Sequence, residues 1–199
     1  TTNALSAVLA SPLNIDKKAI EQALQTVKLA GRFDYRETHN RHWLFDVAHN
    51  EQGVEFLLAQ LLPLWQQHLA TQNSADALNQ GSNQSSNQAN RKPASIQMLF
   101  SMLGDKDINK VVQRLTEAGL PISDWFIAEI DYPRAASTEQ LQSILASYVD
   151  SAQIHEFKRL SEATDAVIND SQAQDLIVVC GSFHTIGEAL AALADDNLS

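Results

Sequence analysis

The segment from Trp43 to Asn50 constrains this chain more than any other. An apolar run of strand length stops at the carboxylate of Asp46, the short turn Val47-Ala48-His49-Asn50 follows, and an amphipathic helical pattern begins at once. Strand, turn and helix in that order is the unit of an open α/β sheet. In such sheets ligands sit in the crevice beyond the carboxyl ends of the strands, so an Asp closing a strand is placed to meet ligand hydroxyls or a metal. A second unit ends the same way, at Leu176-Ile177-Val178-Val179-Cys180, followed by Gly181-Ser182-Phe183-His184-Thr185 and another helical pattern.

Elsewhere strand and helix patterns alternate. Asp16 is placed to cap a helix running to about Val27, with Ala19, Ile20, Ala23, Leu24 and Val27 at three-four spacing, and Gly31 ends it. Tyr35–Thr38 and Trp43–Phe45 read as two strands joined by the polar turn His39-Asn40-Arg41. Asn50 is placed to cap the next helix, whose stripe of Val54, Leu57, Leu58, Leu61 and Leu62 runs until Pro63 kinks or ends it. Strands follow at Ile96–Ser101 and Trp125–Ile130, and helices at Ile108–Ala118, Thr138–Tyr148, Ser161–Asn169 and Thr185–Ala194. This alternation predicts a mostly parallel sheet with helices on both faces. Between Thr71 and Ser95 the chain is Asn, Gln and Ser with almost no apolar content, so 71–95 reads as a mobile surface loop that cannot bury enough surface to offset its chain entropy.

Composition bounds the function. The net charge of −10 lacks the basic footprint that nucleic acid or an anionic membrane surface requires, while leaving room for a nucleotide met by a few local cations. The single cysteine, Cys180, excludes an intrachain disulfide and fits a reducing, cytoplasmic setting. No apolar run approaches the roughly 20 residues of a membrane span. The first residues carry neither an initiator Met nor a basic stretch, so the chain reads as part of a longer protein rather than as one with a signal peptide. None of the seven glycines is followed by Lys, so no G-x-x-x-x-G-K-[ST] phosphate loop is present.

The blocks GRF at 31–33, DVAHN at 46–50, SMLGDKD at 101–107, YPRAAST at 132–138 and VVCGSFHT at 178–185 occur in an order that resembles bacterial bifunctional dihydrofolate synthase/folylpolyglutamate synthase, of the Mur ligase superfamily. The resemblance runs from about Asn3 to Leu193, apart from the Asn/Gln/Ser segment, and covers only the C-terminal part of such enzymes. It implies that residues 1–30 end a central ATP-binding domain, and that residues 31–199 form a Rossmann-like C-terminal ligase domain. It also implies an ATP-dependent amide ligase that joins L-glutamate to dihydropteroate and to folates through an acyl phosphate. ATP and Mg2+ are the expected cofactors. The metal ligands and the phosphate loop would lie in the upstream ATP-binding domain, and this chain alone would be inactive. Another Mur-superfamily ligase, such as a peptidoglycan or cyanophycin enzyme, would share Asp-x-Ala-His-Asn but not CGSFHT. A stand-alone nucleotide-binding interaction module is the other alternative.

By the same resemblance Asp46, Arg32 and Asn3 are ATP-binding residues, His49 is catalytic, and Ser182 binds the incoming glutamate. Each also has a purely structural explanation. Asp46 suits a ribose diol, because a carboxylate accepts two hydroxyl hydrogen bonds, and equally suits a strand-end turn. Arg32 carries a planar fork matched to phosphate oxygens, or satisfies a nearby helix C-terminus. Asn3 meets the adenine side, or caps a helix. His49 lies near the reacting phosphate or the glutamate, or hydrogen-bonds loop backbone. Asn50 is read as a cap, and Glu51 stands where the family usually has Pro. Ser182 lacks the G-x-S-x-G elbow of a nucleophile and instead faces a carboxylate together with helix-start N–H groups. Cys180 is a small buried apolar residue. Asp105, Lys106 and Asp107 are crevice or capping residues, and Arg134 meets an anionic substrate or simply lies on the surface.

Overall fold

The computed structural model describes residues 6, 10–12, 15–26, 29–79 and 92–195. Helix α1 (Lys17–Thr26) begins where Asp16 accepts from the backbone N–H of Lys18 at 3.2 Å. Strands β1 (Asp34–Thr38) and β2 (Arg41–Asp46) form an antiparallel hairpin. His39 and Asn40 at its tip both take positive φ, 53° and 54°, which matches a two-residue turn to the twist of the strands. Then come α2 (Glu51–Asn79), β3 (Ile96–Phe100), α3 (Ile108–Glu117), β4 (Ile122–Ala128), α4 (Thr138–Leu145), β5 (Ile154–Phe157), α5 (Leu160–Asp170), β6 (Leu176–Cys180) and α6 (Phe183–Asp195).

The strands make one six-stranded sheet in the order β1-β2-β6-β3-β4-β5, parallel throughout except for β1. The central strands β3 and β6 are buried at every residue: β6 is an unbroken apolar run, and β3 is apolar except for Gln97, whose amide donates to the Ser95 and Ser123 hydroxyls, as strands covered on both faces require. One face packs on α2, α3 and α4 through Leu57, Leu61, Trp65, Val111, Leu115 and Leu141. The other packs on α5 and α6 through Leu160, Val167, Ile186 and Ala189. The expected α/β sheet with helices on both faces is therefore observed. Strand β6 sits between β2 and β3, yet the helix that follows it covers the opposite face from the helices after its neighbours. In open α/β sheets ligands sit beyond the carboxyl ends of strands at such a divergence, here β2, β6 and β3.

Two expectations are corrected. Pro63 does not end α2, which continues to Asn79, so 71–79 is helical and not the start of a loop. Leu57, Leu61, Trp65 and His68 are all buried, so the core-facing stripe continues past the proline to His68 and outweighs the hydrogen bond that Pro63 cannot donate. Residues 80–91 of the polar segment, and Asn3, lie outside the described residues. The edge strand β5 has no distinct sequence pattern, because Ile-His-Glu-Phe is short and half polar, and it leans on an Asp150 capping box before it.

Candidate functional site

The parallel register sets Asp46 opposite Cys180, so the turns after β2 and β6 leave the sheet side by side. Asp46 is 9% exposed, and both its oxygens are engaged by backbone. One accepts from the N–H of Phe33 at 2.8 Å and the other from the N–H of Ala48 at 2.9 Å. Burial pushes its carboxyl above the ordinary carboxylate value, while those two donors and the Arg32 guanidinium pull the other way. The strand-end role is thus realised, and each oxygen keeps a lone pair for a further donor.

The Phe33 contact fixes the loop carrying Arg32. Gly31 takes φ +71°, its carbonyl accepts from Val47 N–H at 2.9 Å, and a Cβ there would stand 3.1 Å from Ile186 of α6. Phe33 itself is held at φ 47°, a sparsely populated conformation for a bulky residue, by the pull of Asp46 on its amide. Arg32 projects exposed from this clamped turn, with its guanidinium carbon 5.4 Å from the centre of the Phe183 ring. His49, half-buried in the next turn, has Nδ1 2.7 Å from the carbonyl oxygen of Val47. A carbonyl only accepts, so this bond puts the proton on Nδ1 and leaves Nε2 of the neutral ring as an acceptor. Asn50 caps α2, accepting from Gly53 N–H at 2.7 Å.

At β6 the chain crosses β3 at very close range. A Cβ on Gly181 would lie 1.9 Å from the carbonyl oxygen of Ser101, and Gly181 has φ +126°. Ser182 then caps α6, its Oγ accepting from Thr185 N–H at 3.0 Å. Thr185 Oγ1 donates to the Ser101 carbonyl at 2.9 Å, so in the 2.8 Å contact between the two hydroxyls Ser182 is the donor. Ser182 is buried and its hydroxyl is internally satisfied. A carboxylate would have to take its proton from Thr185. Cys180 is fully buried, with its thiol pushed up by burial.

The turns after β3 and β4 close the rim. They are joined by Gly104 N–H to Arg134 carbonyl at 2.7 Å and by an ion pair of Arg134 with Asp105 at 2.7 Å. Arg134 is therefore partnered within the chain. Asp107 caps α3 through Lys110 N–H at 3.0 Å, and Lys106 lies half-buried between the two aspartates. Composition did not single out Tyr132 and His184, whose rings stack at 3.9 Å, or Glu188, which accepts from Asp131 N–H at 2.8 Å. Together they latch the β4–α4 turn to α6. Their signal was weak, because each contact joins segments some fifty residues apart. The structure brings Arg32, Asp46, His49 and Ser182 to one end of the sheet. A cavity of about 390 Å³, lined by residues including Arg41, His42 and Gln174, opens at the other end. Among the described residues no group of three or more His, Cys, Asp or Glu side chains could hold a metal ion.

No protein-family model matches the chain. It is 28% identical to the dihydrofolate synthase/folylpolyglutamate synthase of Escherichia coli over 190 residues, 96% of this chain but 36% of that protein. In three dimensions it is similar to E. coli FolC in complex with DHPP and ADP, with 28% identity, a TM-score of 0.69, and coverage of 98% of this chain and 38% of that one. It is equally similar to a bifunctional folylpolyglutamate synthase/dihydrofolate synthase with Mn, AMPPNP and L-glutamate bound, with 28% identity, a TM-score of 0.71, and coverage of 96% and 38%. The chain spans a little over a third of the length of these relatives, and over nearly all of its own length it is similar to the C-terminal part of dihydrofolate synthase/folylpolyglutamate synthases.

Proposed function

We propose that this chain is the C-terminal part of an ATP-dependent amide ligase that adds L-glutamate to dihydropteroate and to folates through an acyl phosphate. One observation carries the reading: the DVAHN and GSFHT turns emerge from neighbouring parallel strands, with Asp46 opposite Cys180. Sequence blocks more than a hundred residues apart thereby form one rim. The relatives support the substrates, being solved with ADP, with DHPP, or with AMPPNP, Mn and L-glutamate. Residues 1–30 are assigned to the end of a preceding ATP-binding domain, which would supply the phosphate loop and the Mg2+ ligands.

Phosphoryl transfer to a carboxylate depends on positioning and charge stabilisation more than on covalent help from the protein. In this reading the exposed guanidinium of Arg32 pairs with phosphate oxygens of ATP, and Asp46 accepts ribose hydroxyls on its remaining lone pairs. Asn3 meets the adenine side of the nucleotide. His49, with its Nδ1–H on the Val47 carbonyl, has Nε2 left for the reacting groups, suited to orient the glutamate amine. Ser182 serves the glutamate carboxylate chiefly by fixing the start of α6, whose N–H groups favour an anion. Closure of this rim on the ATP-binding half would exclude water, which otherwise hydrolyses the acyl phosphate.

The test is an assay of the full-length protein carrying this chain, with ATP, L-glutamate and either dihydropteroate or a reduced folate, following ADP release and the glutamylated product. The reading predicts glutamate-dependent turnover, and none with UDP-muramoyl acceptors. Turnover with the muramoyl acceptor alone would instead identify another Mur-type ligase. ATP binding without turnover on any acceptor would favour an interaction module.

A further inference from the structure

Phe183 is 59% exposed at the first position of α6 and belongs to neither core cluster. A lone exposed ring needs no explanation in itself. This one carries the Arg32 guanidinium 5.4 Å above its centre. The backbone around Arg32 is clamped by Arg32 N–H to Leu29 carbonyl at 3.0 Å, by Val47 N–H to Gly31 carbonyl at 2.9 Å, and by Asp46 on the Phe33 amide. Clamping the backbone leaves four side-chain torsions free. Among the described residues the Arg32 side chain has no hydrogen bond or ion pair; the Asp46 carboxylate attracts it through space, and the Phe183 ring is the contact that meets its head.

We propose that Phe183 is a positioning residue that holds the Arg32 guanidinium by its flat face and presents its N–H edge across the rim to nucleotide phosphate oxygens. The two uses are compatible. A ring quadrupole attracts the π face of a guanidinium, whereas phosphate oxygens take the N–H groups in its plane. Stacking therefore consumes no donor, while an ion pair in the same place would. Holding the head in advance also lowers the side-chain entropy lost when the anion arrives. The inference rests on the reading of Arg32 as a nucleotide ligand.

The test uses the full-length protein and compares Phe183→Leu, Phe183→Tyr, Arg32→Ala and the double variant Phe183→Leu/Arg32→Ala. The readouts are the dissociation constant for ADP, KM for ATP, and kcat. Phe183→Leu keeps apolar bulk but removes the ring, and should weaken ADP binding and raise KM for ATP roughly two- to fivefold, the size of an exposed cation–π contact. Phe183→Tyr keeps the ring face and should restore wild-type values. On the Arg32→Ala background Phe183→Leu should add nothing, because its effect passes through Arg32. If Arg32→Ala weakens nucleotide binding and Phe183→Leu does not, or if the two effects simply add, the positioning role is overturned while the nucleotide role of Arg32 stands. If Arg32→Ala itself leaves ADP and ATP untouched, the reading of the site fails and takes this inference with it.

Discussion

The carboxylate of Asp46 accepts the backbone N–H of Phe33 at 2.8 Å, tying the loop that carries Arg32 to the strand end that carries His49. Its second oxygen holds Ala48 N–H. One side chain thus organises both halves of the rim. Asp46→Ala leaves two amides without their charged acceptor and should cost about 2 kcal/mol of stability as well as nucleotide affinity. Arg32→Ala removes an exposed side chain that the core does not use. It should change stability by less than about 0.5 kcal/mol and weaken nucleotide binding about tenfold, the scale of one charge-assisted pair. Denaturant unfolding and ADP titration of the two variants separate these roles. Equal stability of Asp46→Ala and wild type would mean that the two amides find other partners.

Gly181 should tolerate no side chain. Its φ of +126° is a region that L residues rarely adopt, and a Cβ would stand 1.9 Å from the Ser101 carbonyl. Ser101 belongs to the turn after β3, and its carbonyl also takes the Thr185 hydroxyl, so neither backbone can withdraw without loosening α6. Gly181→Ala should destabilise by about 3 kcal/mol or more, read as a fall in urea midpoint. An unchanged midpoint would show that β3 and β6 can part at their ends.

The parts of the fold legible in the sequence are those where one short segment carries its own pattern. Leu176–Cys180 is an unbroken apolar run and forms a strand with those bounds. Asp46, Asn50 and Asp107 sit where strand ends and helix caps require them, and each holds backbone N–H groups as its position suggests. What escaped is non-local. The position of β6 between β2 and β3 depends on which face each helix covers, and no window of sequence records that. The Arg134–Asp105 pair and the Tyr132–His184 stack join separate loops, so the partnering of Arg134 within the chain could not be foreseen. Ser182 was legible as a residue at a helix start. The donor–acceptor chain from Ser182 through Thr185 to Ser101, which commits its proton, was not.

Pro63 illustrates local chemistry losing to packing. The ring denies α2 one backbone hydrogen bond, yet the helix passes through because Leu61 and Trp65 on either side are buried against the sheet. Pro63 is itself exposed, so replacing it disturbs no core contact. Pro63→Ala should restore the missing bond and raise stability by about 1 kcal/mol or more, within the roughly 3 kcal/mol that separates the two residues in a helix interior. A higher urea midpoint with an unchanged slope would check this. A lower midpoint would mean that the bend at Pro63 is needed for Trp65 to reach its place.

His42 makes stability depend on pH at the end of the sheet away from the proposed site. Burial lowers its pKa from 6.5, the neighbouring His68 lowers it further, and Glu37 opposes both. The Tyr35 phenol, whose own pKa is raised to about 12 by burial and Glu37, remains protonated and donates to the Glu37 carboxylate at 3.3 Å, while its oxygen lies 2.7 Å from His42 Nδ1. The His68 ring stands edge-on to His42 at 4.7 Å. In the unfolded chain His42 returns to 6.5 and takes up a proton that the folded state refuses. Its stabilising contribution is therefore present above that value and declines as pH falls from 6.5 toward the lower native pKa. Urea midpoints at about pH 7.5 and about pH 5.5 should show wild type losing more stability on acidification than His42→Gln, which has no proton to gain. Equal losses in the two proteins would place the pH sensitivity elsewhere.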